Sequence, residues 1–171
     1  MPGFSLNCFS KPLPMVRKKS APNVRIPPLA IVLVMVALMW LTSRAVPELT
    51  FVTPAQNFIA IALALVGAAI AILGVTSFVR AGTTVNPLSP DAASSLVTSG
   101  VYTISRNPMY LGFLFLLLGW GIYLANVAAF TIVALFVAYM NRFQIAPEER
   151  ALQARFGADF AVYCNQVRRW L

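Results

Sequence analysis

The sequence predicts an all-α integral membrane bundle of about four transmembrane helices, with a cytosolic loop and an amphipathic C-terminal segment. Three observations carry that prediction. Apolar residues make up 59% of the chain and charged residues 11%, where a soluble domain is about a quarter charged. Apolar runs of near-spanning length recur along the 171 residues, a length that suits one bundle and leaves no room for a second domain. The cations sit at the margins of those runs, where membrane proteins place them. The net charge of +8 therefore belongs to membrane topology, and no basic face of a soluble fold offers itself to nucleic acid.

Residues 1–26 hold Lys11, Arg17, Lys18, Lys19 and Arg25, several prolines and no acid. Such a segment buries too little apolar surface to order itself and reads as a basic cytosolic tail. The apolar run that follows is long enough to span and lacks a small-residue cleavage site, which argues against a signal peptide. The tail's cations can also touch anionic headgroups, at about 1 kcal/mol each. From residue 27 to 171 the chain reads as a single membrane domain.

The first span is predicted at about 28–46, with Pro27 and Pro28 at the helix start, where a missing N–H costs nothing. The second, at about 55–79, approaches the roughly 20 residues that a 30 Å hydrocarbon core demands. Gly67 and Gly74 mark a helix-packing face on it. The apolar stretch from Met109 to Met140 holds 32 residues, about 48 Å of helix at 1.5 Å per residue and too long for one pass. Asn126 breaks it near the middle, so a tight hairpin is expected, with spans at about 108–124 and 127–145. Gly119 and Gly121 inside it read as packing positions.

Four spans with the N-terminus inside place twelve of the thirteen cations in the cytosol and leave only Arg44 outside, beside Glu48. Three or five spans would divide the basic ends across the membrane. The expected protein is multi-pass, with both termini cytosolic, in the inner membrane if the source is bacterial.

Absences narrow the chemistry. The chain has no histidine, which excludes Ser-His-Asp and Cys-His nucleophile schemes and His-based metal sites. All the lysines lie in the N-terminal tail and no GxxxxGK[ST] loop occurs. Cys8 and Cys164 match no ligand spacing and read as free thiols.

The cytosolic connection spans residues 80–107, and a loop that long in a small protein is functional or disordered. Val85, Leu88, Leu96, Val97, Val101 and Tyr102 argue that it packs. It ends in Ser99–Gly100–Val101–Tyr102–Thr103–Ile104–Ser105–Arg106–Asn107–Pro108–Met109–Tyr110. Asn107 suits the N-cap of a helix opened by Pro108. That helix start, with Arg106 beside it, can hold a carboxylate or phosphate; alternatively Arg106 simply snorkels to headgroups. After the fourth span come Glu148 and Glu149, with no cation three or four residues away to pair with. Either they favour a helix start at Pro147, or they face a polar pocket with Arg106 and the loop. Phe156, Tyr163, Arg168, Arg169 and Trp170 suit an interfacial amphipathic tail.

Together these runs resemble the isoprenylcysteine carboxyl methyltransferase family of integral membrane methyltransferases. The resemblance lies in Ser99–Gly100–Val101–Tyr102 and Ser105–Arg106–Asn107–Pro108–Met109–Tyr110–Leu111–Gly112. Glu148–Glu149, Phe156–Gly157, Tyr163 and Arg169–Trp170 follow in the family's order. Asn107–Pro108–Met109–Tyr110, Leu118–Gly119–Trp120 and the acidic pair are also similar to phosphatidylethanolamine N-methyltransferases. The likeness covers about residues 75–171. It implies S-adenosyl-L-methionine as methyl donor and a lipophilic acceptor reached from the bilayer. It further implies a cofactor site lined by Gly100, Val101, Tyr102, Arg106, Asn107, Pro108, Tyr110 and Glu148, with Glu148, Glu149 and Arg106 as the catalytic candidates. Arg106 would take the methionine carboxylate, and an acid the ammonium or the ribose hydroxyls. Eukaryotic carboxyl methyltransferases usually carry His where this chain has Asn107; asparagine does not titrate, which counts against acid–base duty there and against a prenylcysteine substrate. Competing functions are a non-catalytic membrane subunit, a nicotinamide-dependent reductase, or a small four-helix transporter. The transporter is disfavoured because the five acids all lie outside the apolar cores.

Overall fold

The computed structural model describes residues 26–80 and 95–171. The expectations for the basic tail and Cys8, and for Val85 and Leu88 in the long loop, lie outside the described residues. Regular structure among the described residues is helical throughout. Helix α1 is Pro28–Ala45, α2 is Gln56–Arg80, α3 is Pro108–Leu124 and α4 is Ala129–Tyr139. A π-helical turn, Met140–Ile145, joins α4 to α5 (Ala146–Phe156), and α6 (Ala158–Gln166) follows. The first three predicted spans agree with the helices to within a residue or two. Three helical rods are long and apolar enough to cross a membrane, Pro28–Ala45, Gln56–Arg80 and Ala129–Phe156, and α3 is a shorter apolar helix. The protein is a multi-pass membrane bundle.

The third rod departs from expectation. The sequence predicts a fourth span ending near residue 145 and a fresh start at Pro147, yet the chain stays helical from Ala129 to Phe156. Proline lacks the N–H that would bond the carbonyl four residues back, and its ring collides with that carbonyl. Widening the preceding turn removes the conflict: the Ala146 N–H donates to the Asn141 carbonyl, five residues back. Such π turns occur frequently at functional sites, and this one leads directly into Glu148 and Glu149.

Helix α3 packs against α1, α2 and α4, and its contact with α2 is the most extensive in the fold. Glycine makes that contact possible. A Cβ on Gly67 would lie 2.6 Å from the Gly112 carbonyl oxygen, and one on Gly112 would lie 2.5 Å from that of Gly67, so the two backbones touch where any side chain would part them. Gly74 packs on Met109, Gly119 on Ala60 and Gly121 on Phe130, as the packing reading of these glycines expects. The core between α1, α3 and α4 is built on Met39, Leu117, Phe136, Met140 and Ile145. Phe58, Ile61, Leu65, Ile72 and Val79 on α2 are exposed and recur at three-, four- and seven-residue spacing, which makes a lipid-facing stripe.

One end of the bundle is closed by Asn126, the polar break between α3 and α4. Its Nδ2 donates to the Val46 carbonyl at 2.8 Å, and its Oδ1 accepts from the Ala128 N–H at 3.0 Å. The Phe51 N–H donates to the Ala125 carbonyl and the Val127 N–H to that of Leu49, so the hairpin turn is laced to the α1–α2 connection. At the other end Gln144 Nε2 donates to the Ile26 carbonyl and Trp170 Nε1 to Asn141 Oδ1. The start of α1 and the C-terminal segment thus share an end of the bundle.

Candidate active site

The end that holds Ile26 and Trp170 gathers most of the polar side chains singled out by the sequence. Three pieces of chain meet there: the segment ending at Asn107, the start of α5, and residues 167–170. Gly100 opens a 3-10 turn, Gly100–Thr103, at a φ of +64°, a left-handed conformation that glycine adopts without strain. The turn drives Tyr102 inward, where its ring meets Phe78 of α2 edge-on at 5.3 Å. The Tyr163 hydroxyl of α6 donates to the Tyr102 carbonyl at 2.7 Å. Gly100 itself stays exposed and Val101 is half-buried.

Residues 105–107 are clamped by the C-terminal segment. The Arg106 N–H donates to the Arg168 carbonyl at 3.0 Å, and Asn107 Nδ2 donates to the Arg169 carbonyl at 2.9 Å. The expectation of Asn107 as a side-chain N-cap is corrected here. The residue precedes α3, and Pro108 occupies the first turn as predicted, but no side-chain bond caps the helix. The Asn107 amide serves the C-terminal segment instead, and its own N–H donates to Ser105 Oγ. A local cap and a distant carbonyl compete for one amide, and the tertiary contact wins.

The two glutamates take different partners. Tyr110, buried one turn into α3, donates its hydroxyl to Glu148 Oε1 at 2.6 Å. Glu149 faces two guanidinium groups: Arg106 at 3.2 Å from Oε1, and Arg169, whose Nε donates to Oε1 at 3.1 Å and whose Nη2 donates to Oε2 at 2.5 Å. Long-range pairing thus satisfies Glu149, where the sequence offers no local cation. Arg106 keeps one buried donor, its Nε, without a hydrogen-bond partner among the described residues. Burial raises the Tyr102 hydroxyl well above the usual tyrosine range, and Tyr163 and Glu148 add to the shift. Burial also pushes Tyr163 up to about 12, against the opposing charge of Arg106 and with a smaller contribution from Cys164. Both phenols are therefore neutral hydrogen-bonding groups at ordinary pH.

The structure brings Arg106, Asn107, Pro108, Tyr110, Glu148 and Glu149 into one cluster, with Tyr102 against its edge. Gly100 shapes the turn beneath Tyr102, and Val101 has no polar role in it. Sequence reasoning missed Arg169 as a partner of Glu149 and Tyr163 as the clasp on Tyr102. The signal for the first was present: an acid without a local cation in a low-dielectric setting needs a distant one, and the C-terminal arginine pair was available. A ligand with an anionic group fits this cluster. An orphaned buried guanidinium donor, on one of two arginines that share the single carboxylate of Glu149, is the chemistry that would receive a carboxylate.

Comparison with known proteins points the same way. The phospholipid methyltransferase family profile matches residues 55–159, more than half of the chain and most of the cluster. An uncharacterised protein of Haemophilus influenzae is 44% identical over 63 residues, which cover 37% of this chain and all of that protein. Probable protein-S-isoprenylcysteine O-methyltransferases of Oryza sativa subspecies indica and japonica are each 30% identical over 118 residues, 67% of this chain and 60% of theirs. The chain therefore spans less than two thirds of the rice relatives. No solved structure matches it. The two glutamates, the Arg106–Asn107–Pro108 corner and the glycine-packed α2–α3 pair all lie within the matched region, and the chain belongs to the phospholipid methyltransferase family.

Proposed function

We propose that this protein transfers a methyl group from S-adenosyl-L-methionine to a lipophilic acceptor, at the membrane face where the Arg106–Glu148–Glu149 cluster lies. The observation that carries the reading is the buried, unpartnered Nε of Arg106, set between a helix start and an acidic pair. When bound, the cofactor supplies a methyl on a positively charged sulfur, already reactive toward a nucleophile. The chain's own task is then alignment and exclusion of water.

Arg106 and the first turn of α3 receive the methionine carboxylate. Glu148, oriented by the Tyr110 hydroxyl, accepts from the ammonium or the ribose hydroxyls. Tyr102 and Tyr163 close the flank as neutral groups. Glu149 acts through Arg106, whose guanidinium it holds in place. Asn107 gives its amide to the Arg169 carbonyl and has no proton to exchange, so the acceptor enters as a nucleophile that needs no base at position 107. A phospholipid headgroup amine, one acceptor consistent with a phospholipid methyltransferase family, meets that condition once neutral. An ionised carboxylate, as in the reaction named for the rice relatives, meets it directly. The cluster faces the cytosol in this reading, which the distribution of cations supports.

The test is isothermal titration of the detergent-solubilised protein with S-adenosyl-L-methionine, followed by a screen of methyl acceptors in mixed micelles. The screen spans aminophospholipids and prenylated cysteine carboxylates. Saturable binding and transfer to one class support the reading. Binding without transfer to any acceptor favours a non-catalytic subunit, and absence of binding removes the proposal.

A further inference from the structure

The charge balance around Glu149 bears on what Arg106 can bind. Arginine stays protonated at any accessible pH. Two guanidinium groups share the one carboxylate of Glu149, so that trio carries one positive charge that Glu149 does not offset, while the cluster's other acid, Glu148, accepts from the Tyr110 hydroxyl. The trio is also graded in depth: the side chains of Arg106 and Glu149 are 14% and 19% exposed, and that of Arg169 is 39% exposed. Arg169 approaches from the rim as a two-point fork, the geometry that matches a carboxylate best. Arg106 reaches Glu149 with a single terminal nitrogen and keeps its buried Nε unpartnered. A buried donor left unmade is costly, and here it sits beside the excess charge.

We propose that Arg169 is a positioning residue for the ligand's anionic group. By taking both oxygens of Glu149, it keeps Arg106 from closing into a neutral pair with that acid and leaves the Arg106 charge available to a carboxylate. Without Arg169 the remaining pair is neutral, and Arg106 can turn its own fork onto Glu149. The backbone of Arg169 is placed independently of its side chain, because its carbonyl accepts from Asn107 Nδ2 at 2.9 Å and from Ser105 Oγ at 3.4 Å. Trp170 is tied to Asn141 Oδ1. Truncating the Arg169 side chain therefore removes the charge and leaves these anchors of the C-terminal segment. This inference rests on the methyl-donor reading above, and identifies its carboxylate as the group that the Arg106–Arg169 pair selects.

The test uses the full chain in detergent and two probes, S-adenosylhomocysteine and its decarboxylated analogue, which keeps the adenosine and the amine. Arg169→Ala is expected to weaken S-adenosylhomocysteine binding by about tenfold or more, the scale of one charge-assisted contact. It is expected to leave the decarboxylated analogue unaffected, and Arg169→Lys should recover part of the loss. The double variant Arg169→Ala with Glu149→Gln restores the single uncompensated charge on Arg106. It should bind S-adenosylhomocysteine at least about threefold more tightly than Arg169→Ala alone, though not as tightly as wild type, because Glu149 no longer holds Arg106. An Arg169→Ala protein that binds as tightly as wild type overturns the inference. So does an equal loss for both probes, or a double variant weaker than the single, since each is what a purely structural strap produces. A wild-type protein that binds neither probe overturns the methyl-donor reading as well, which separates the two failures.

Discussion

Glu148 and Glu149 are neighbours in sequence with opposite situations. Glu148 accepts a 2.6 Å bond from the Tyr110 hydroxyl, whereas Glu149 lies between Arg106 and Arg169. The same chemical change should therefore read out differently at the two positions. If the acids merely favoured a helix start, each would contribute about 0.3–1 kcal/mol and Gln substitution would change little else. On the proposed mechanism, Glu148→Gln lowers turnover by about tenfold or more, which corresponds to about 1.4 kcal/mol at the transition state. Its unfolding temperature in detergent should stay close to wild type. Glu149→Gln should instead cost stability, on the order of 1–2 kcal/mol for a partly buried ion pair with two cationic partners, and its unfolding midpoint is the measurement that shows it. An active, stable Glu148→Gln variant would remove that carboxylate from the mechanism. At this scale the sequence disclosed which residues matter and withheld their pairings. The absence of a cation near Glu149 in sequence was legible. That Arg169, twenty residues on, supplies it depends on how α6 folds back, and no local pattern encodes that.

Helix packing was more legible, because a glycine inside an apolar helix weakens that helix, a cost that the close approach of a neighbouring backbone offsets. Gly67, Gly74, Gly119 and Gly121 all face neighbouring chain, as their small size and positions suggested. Gly112 gives the sharpest test. Its Cβ would lie 2.5 Å from the Gly67 carbonyl oxygen, backbone that cannot swing aside, so Gly112→Ala must part α2 from α3. Overpacking of this kind costs about 1–3 kcal/mol, read as a lowered thermal midpoint in detergent, whereas a midpoint equal to wild type would show that the two helices do not touch as described. The α4–α5 junction was not legible. A proline at position 147 after an apolar run reads as a break, and only the widened turn at Met140–Ile145 shows how the helix passes it. The α6 clasp carries its own pH signature. Tyr163 holds its proton more tightly folded than unfolded, at about 12 against the ordinary 10. Its contribution to stability is complete below the unfolded value and is lost as pH rises from about 10 through 12. Unfolding followed by tyrosine absorbance should show stability falling across that window in the wild type, and falling less in Tyr163→Phe.

For the whole molecule, the hydropathy pattern and the placement of cations were enough to predict a helical membrane bundle, and the family match places methyl-transfer chemistry on it. The hairpin at Asn126 was legible as a polar interruption in an apolar stretch; its lacing to Val46, Leu49 and Phe51 depends on the fold. The proposed orientation puts twelve of thirteen cations on one side. Reporter fusions at both termini should therefore read cytosolic and a tag at Asn126 external, and a cytosolic signal at Asn126 would contradict the orientation. The central claim is that the cluster at the other end holds a methyl donor through Arg106. The most direct measurement is calorimetric titration of the purified protein and of Arg106→Ala with S-adenosyl-L-methionine. Saturable binding by the wild type is expected. Arg106→Ala should lose about 1.5–3 kcal/mol of it, the scale of a hydrogen bond to a charged group, with the unfolding temperature lowered no more than in Glu149→Gln, because Glu149 keeps the Arg169 fork. Equal affinities in the two proteins, or no binding by either, would contradict the claim.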